Sequence, residues 1–144
     1  MTLALSLEDL LGDKEALPAK PRPPLQWVSL IRQGIPSAAV DSLATTLAIS
    51  QAELATALAI PDRTLTRRKK EGTLNSEESA KLLQLARVVK RADEVFGAIE
   101  RALDWLKSPN AACSGATPLS LLDTDIGTES VLDTPGRIEH GIFA

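Results

Sequence analysis

Aromatic side chains are nearly missing from this chain of 144 residues, which has no Tyr, two Phe and two Trp. A core must therefore come from Leu, Ala, Ile and Val, and Ala and Leu favour helix strongly. Cysteine is almost absent too. Cys113 alone excludes an internal disulfide framework and suits a reducing cytoplasm. His140 is the one histidine, and one His with one Cys far from it in sequence offers no zinc site. No phosphate loop or Gly-rich dinucleotide turn occurs. The opening MTLALSLEDLLGD has neither a basic flank nor a long apolar run, so neither a signal peptide nor a transmembrane helix is expected. These absences argue against an enzyme: no catalytic residue, metal or cofactor is expected.

What is present is unevenly charged. Arg63, Arg67, Arg68, Lys69 and Lys70 fall together with no acid among them. Residues 109–144 instead carry Arg137 against Asp123, Asp125, Glu129, Asp133 and Glu139. A basic spot in the first half and an acidic last quarter argue against one uniform task.

PAKPRPP, Pro18 to Pro24, cannot be helical, because its prolines remove donors and hold the backbone extended. It reads as a linker after a short arm, so residues 1–24 form an arm and linker. From Leu25 the pattern is helical. LQWVSLIRQGI puts Trp27, Leu30 and Ile31 at helical spacing, with Gly34 as the stop. Ser37 is expected to cap a helix with Val40, Leu43 and Leu47 on one face. Ser50 with Glu53 is a capping box. Leu54, Ala55 and Leu58 follow as a stripe, and Pro61 opens the next helix.

Two short helices, a tight turn and a basic second helix resemble a helix-turn-helix. Gln51, Ala55, Ile60 and Leu65 stand at its usual offsets. Two positions depart from it: Ala59 where the motif often has Gly, and Arg68 where it often has an apolar residue. Arg63, Thr66, Arg67 and Lys70 share one helix face. Such a face reads the major groove, Arg pairing with guanine and other groups meeting phosphate. Arg63, Thr66, Arg67, Arg68 and Lys70 are therefore the candidate DNA-binding residues; an ordinary solvated charged face is the competing reading. One copy offers few contacts, so a homodimer on a two-fold site is expected. This domain is taken as residues 25–75.

Beyond it, Ser76 is expected to cap a helix carrying Leu82, Leu85, Val89, Ala92 and Phe96, which ends or kinks at Gly97. AIERALDWLKSPN makes another, with Ile99, Leu103 and Leu106 inward and Pro109 as terminator. Trp105 is off that stripe, and completes the core or serves an interface. Thr117-Pro118 starts a short helix with Leu119, Leu121 and Leu122, and Thr128 is expected to cap one with Val131 and Leu132. The fold class is all-α.

EVFG, ALDWLKSPN, TPLSLLDTDIG and GRIEHGIF occur in that order. Together they resemble the toxin-binding domain of Xre/MbcA/ParS-type antitoxins. With the preceding helix-turn-helix, roughly residues 35–144 resemble the Xre antitoxin of RES–Xre toxin–antitoxin modules. The resemblance implies an N-terminal DNA-binding bundle and, over 76–144, a helical toxin-binding and dimerisation domain. It implies a RES-domain toxin that consumes NAD as partner, and operator DNA as target for autorepression. NAD chemistry would belong to the toxin. Pro135 stands where the family has a Leu in a continuous helix, so the helix restarts at Thr134 or kinks there. The alternative function is a stand-alone regulator whose C-terminal domain dimerises or binds a small ligand.

RIEHGIFA places two large apolar side chains, Ile142 and Phe143, where nothing follows to cover them. Burying each contributes roughly 1.5–3 kcal/mol, against about 1–2 kcal/mol per ordered residue, so folding back is close to neutral. The expectation is that this stretch enters the toxin's active-site cleft. Trp105, Arg137, Glu139, His140, Ile142, Phe143 and Ala144 are the candidate toxin contacts; sealing the chain's own core or dimer interface is the competing reading.

Overall fold

The computed structural model describes Leu10 and residues 25–139, with side chains through Asp133. The elements are α1 Leu25–Gln33, α2 Ala38–Leu47, α3 Gln51–Leu58, α4 Asp62–Glu71, α5 Ser76–Phe96, α6 Ile99–Lys107, two 3-10 turns at Ala111–Cys113 and Pro118–Leu121, and α7 Asp125–Glu139. The chain is all-α, and the described residues contain no strand, only an isolated bridge between Pro36 and Thr73. No described helix is long and apolar enough to cross a membrane. Packing divides inside α5, between Ala86 and Arg87, whereas the domain boundary expected at 75/76 is the start of that helix.

The first unit is built on aliphatic side chains. Ile35, Val40, Leu43, Leu47, Leu54, Leu65 and Leu82 are fully buried, and Trp27 and Leu30 turn inward from α1. Leu10 is buried as well. Gly34 ends α1 at φ +102°, donating its N–H to the Leu30 carbonyl at 2.8 Å. A Cβ there would stand 2.3 Å from the Leu74 carbonyl oxygen, so both conformation and space demand glycine. The next residues clasp the far end of the unit. Leu74 N–H donates to Ile35 O, Ser37 N–H to Gly72 O, and the buried Ile35 N–H to Ser79 Oγ at 2.8 Å. Ser37 thus precedes α2 but its side chain makes no capping bond, contrary to the sequence expectation. Its backbone is committed to the clasp instead.

In the second unit Val88, Val89 and Ala92 of α5, Ala102 and Leu106 of α6, and Val131 of α7 are buried. Ile99 and Leu103, expected inward, are only half-buried. Gly97 ends α5 as expected, at φ +73°. Thr117 accepts the Ser120 N–H and caps the second 3-10 turn.

Two caps differ by position from the sequence reading. Asn75, not Ser76, starts α5: its Oδ1 accepts the Glu78 N–H at 2.8 Å, and its own N–H donates to Glu78 Oε1 at 2.9 Å. Thr124, not Thr128, starts α7, accepting the Gly127 N–H at 3.0 Å. Thr128 lies one turn inside, buried, and returns its hydroxyl to the Thr124 carbonyl at 3.0 Å. α7 then runs unbroken through Pro135 rather than restarting at Thr134.

Candidate functional site

The helix-turn-helix begins with the expected capping box. Ser50 Oγ accepts the Glu53 N–H at 3.1 Å, and Ser50 N–H donates to Glu53 Oε1 at 3.2 Å. α3 ends at Ala59 in the left-handed region, φ 56° and ψ 42°, its N–H returned to the Ala55 and Thr56 carbonyls. This is the conformation for which the motif uses glycine, so the first departure preserves the turn at the cost of a Cβ. Lys81 Nζ reaches back from α5 to the Ala59 carbonyl at 3.4 Å. Pro61 then precedes α4 with extended ψ, at the cap position rather than within the first turn.

Gln51 bridges the two helices. From the first residue of α3 its Nε2 donates to Asp62 Oδ1 at 2.7 Å and to Thr66 Oγ1 at 3.0 Å on α4. α4 exposes Arg63, Thr66, Arg67 and Lys70, buries Leu65, and half-buries Arg68 and Lys69. Four of the five candidate DNA-binding residues therefore share one exposed face. Among the described residues neither Arg63 nor Lys70 has an ion-pair partner, and Arg67 has only a 3.5 Å pair with Glu71 at an exposed site. Exposed pairs of this kind contribute little.

Arg68 lies elsewhere. Its side chain is 19% exposed and faces Glu78, itself 9% exposed, with Nε 2.8 Å from Oε1 and Nη2 3.3 Å from Oε2. Nη1 also meets Glu71 at 3.1 Å. Burial pushes the Glu78 carboxyl up. The Arg68 fork, the Asn75 N–H and the charges of Arg68 and Arg67 outweigh it and hold that group below its usual range. Lys69 pairs with Asp41 of α2. Glu78 and Asp41 are the residues that sequence reading missed. The available signal for Glu78 was an arginine at an apolar position of the motif with an acid in the first turn of the next helix.

In the second unit Trp105 is half-buried against Phe96, ring centroids 5.5 Å apart, and its Nε1 is buried with no hydrogen-bond partner. α7 exposes Asp125, Glu129 and Asp133, with Ile126 79% exposed among them. Arg137 and Glu139 lie on the last turns of α7, their side chains outside the described residues. His140, Ile142, Phe143 and Ala144, on which the cleft expectation rests, also lie outside the described residues. Cys113 is buried, which pushes its thiol up and makes it a poor nucleophile. Among the described residues no group of His, Cys, Asp and Glu would hold a metal ion.

Residues 26–87 match the antitoxin Xre-like helix-turn-helix domain, and residues 91–141 match the antitoxin Xre/MbcA/ParS C-terminal toxin-binding domain. Over 119 residues the chain is 35% identical to an antitoxin Xre of Yersinia enterocolitica, a match covering 81% of this chain and 80% of that protein. It is 30% identical over 118 residues to an antitoxin Xre of Photorhabdus laumondii, with the same coverage. A third antitoxin Xre, from Pseudomonas putida, is 36% identical over 83 residues, 57% of this chain and 52% of that protein.

Proposed function

The chain belongs to the Xre antitoxin family, and from that premise we propose that it neutralises a RES-domain, NAD-consuming toxin and represses its own operon. It acts in the cytoplasm as a homodimer, by binding and not by catalysis. The observation that carries the DNA half is the exposed face of α4, where Arg63, Thr66, Arg67 and Lys70 stand together. An Arg on such a face pairs with a guanine edge, while Lys70 meets phosphate as a point charge. A two-fold dimer doubles those contacts.

The toxin half rests on the match of residues 91–141 to a toxin-binding domain. Its contacts are Trp105 with Arg137, Glu139, His140, Ile142, Phe143 and Ala144, the last six filling the toxin's cleft and obstructing NAD entry. Charge-assisted bonds from Arg137 and Glu139 would fix that stretch. The experiment is the double change Ile142→Ala, Phe143→Ala, assayed for toxin inhibition, DNA binding and dimerisation. Loss of inhibition with the other two intact supports cleft insertion. Full inhibition contradicts it, and collapse of the dimer assigns the stretch to the chain's own interface.

A further inference from the structure

We propose that Arg68 is a positioning residue for DNA recognition: it does not touch DNA, but holds α4 against α5 through Glu78 so that Arg63, Thr66, Arg67 and Lys70 meet the groove together. The proposal rests on the DNA-binding reading of α4. Five cations crowd this helix, yet the fold treats them differently. The candidate readers face solvent, while Arg68 points toward α5 and makes a two-bond fork on one carboxylate. That carboxylate is held a second time, because Glu78 Oε1, which meets Arg68 Nε, also accepts the Asn75 N–H that starts α5. The guanidinium therefore ties α4 to a rigid helix start rather than to a mobile side chain.

Chemistry explains why Arg stands where the motif often has an apolar residue. An apolar side chain there would hold the two helices by burial alone. Arg with Glu78 holds them by geometry, because a planar fork matches a carboxylate in one orientation only. A guanidinium engaged on two carboxylates, Glu78 and Glu71, is also a poor phosphate ligand. Its bonds would have to break before it reached DNA.

The test measures DNA affinity of the full chain over a series of salt concentrations. The probe is a labelled duplex from the region directly upstream of its own coding sequence. The slope against salt counts phosphate contacts, about 0.9 per contact on B-DNA. Arg68→Leu leaves Glu78 charged and unpaired in a nearly buried place, so affinity falls on the order of tenfold. Adding Glu78→Gln removes that charge and keeps an acceptor for Asn75, so affinity returns to within about threefold, with the wild-type salt slope. A double variant that melts like the wild type, stays weak and loses about 0.9 of slope would overturn the proposal, because Arg68 would then be a phosphate contact. Arg68→Lys decides the matter without the double variant. It keeps the charge and loses the fork, so positioning predicts a drop on the order of tenfold, whereas near wild-type binding overturns it. Arg63→Ala with Arg67→Ala and Lys70→Ala is measured alongside. If that variant binds like the wild type, the DNA reading itself fails. If it loses DNA while Arg68→Lys binds normally, only the positioning role fails.

Discussion

Gln51 Nε2 donates to Thr66 Oγ1 at 3.0 Å, joining the first turn of α3 to the exposed face of α4. The same amide holds Asp62 Oδ1 at 2.7 Å. Thr66 spends an acceptor on this bond and keeps its hydroxyl proton to donate. Replacing Gln51 by Ala removes both bonds at a solvent-accessible site, each of which contributes about 0.5–1.5 kcal/mol. Only part of that loss passes to the placing of α4, so DNA affinity is expected to fall roughly three- to tenfold, with the salt slope unchanged because no phosphate contact is removed. Fluorescence anisotropy across a salt series checks both numbers.

Ala48 and Ala59 both sit in the left-handed region, at φ 54° and 56°, and both are exposed. A Cβ there costs about 1–2 kcal/mol, while glycine gives back part of the gain through the entropy of the unfolded chain. Ala59→Gly is expected to stabilise the first unit by about 0.5–1 kcal/mol, read from urea unfolding. A loss of stability would mean that the Cβ makes a contact worth more than the strain.

The Ser79 hydroxyl satisfies the Ile35 N–H in a buried place. Ser79→Ala leaves that donor without a partner and is expected to cost about 1–3 kcal/mol. Amide exchange at Ile35 should quicken more than at the middle of α2. Equal change at both sites would show that the clasp opens only with the whole unit.

Gly127 packs its Cα against the preceding turn, and a Cβ there would fall 1.8 Å from the Leu121 carbonyl oxygen. The backbone must move to accept Ala, so Gly127→Ala is expected to destabilise the second unit by at least about 2 kcal/mol. Inhibition of the toxin should fall while DNA binding through α4 persists. Unchanged inhibition would mean that the α7 start can shift without disturbing the toxin surface.

The Arg68–Glu78 pair also makes a pH prediction. Glu78 is held below the usual carboxylate range in the folded chain and returns to it on unfolding. Its contribution to stability is therefore complete above the unfolded value and fades as pH falls through the depressed folded one. Thermal melts between neutral and acid pH should show Glu78→Gln with a shallower acid limb than the wild type. Parallel limbs would show that other carboxylates govern acid unfolding.

Much of this was legible in the sequence, for physical reasons that also mark its limit. The spacing of residues 63, 66, 67 and 70 places them on one helical face, and all four are exposed. Leu65 at the opposite face is buried. Periodicity alone does not place Arg68, because a charged side chain turns inward only if a carboxylate waits there. Glu78 sits on another helix. Helix starts slipped by one residue at Asn75 and by one turn at Thr124 because each has a second capping residue nearby. Only the backbone bonds choose between them. Motif resemblance identified the second unit, where Thr128 looks like a cap by type and is an inward, buried hydroxyl by position.

The proposed silencing of a RES-domain toxin is open to direct measurement. The product of the gene adjacent to its own is purified, and NAD consumption is followed with increasing amounts of the full chain. The account predicts that consumption stops at a fixed stoichiometry, equally for the wild type and for Arg63→Ala with Arg67→Ala and Lys70→Ala, because α4 serves DNA alone. NAD consumption that continues undiminished at saturating antitoxin would contradict it.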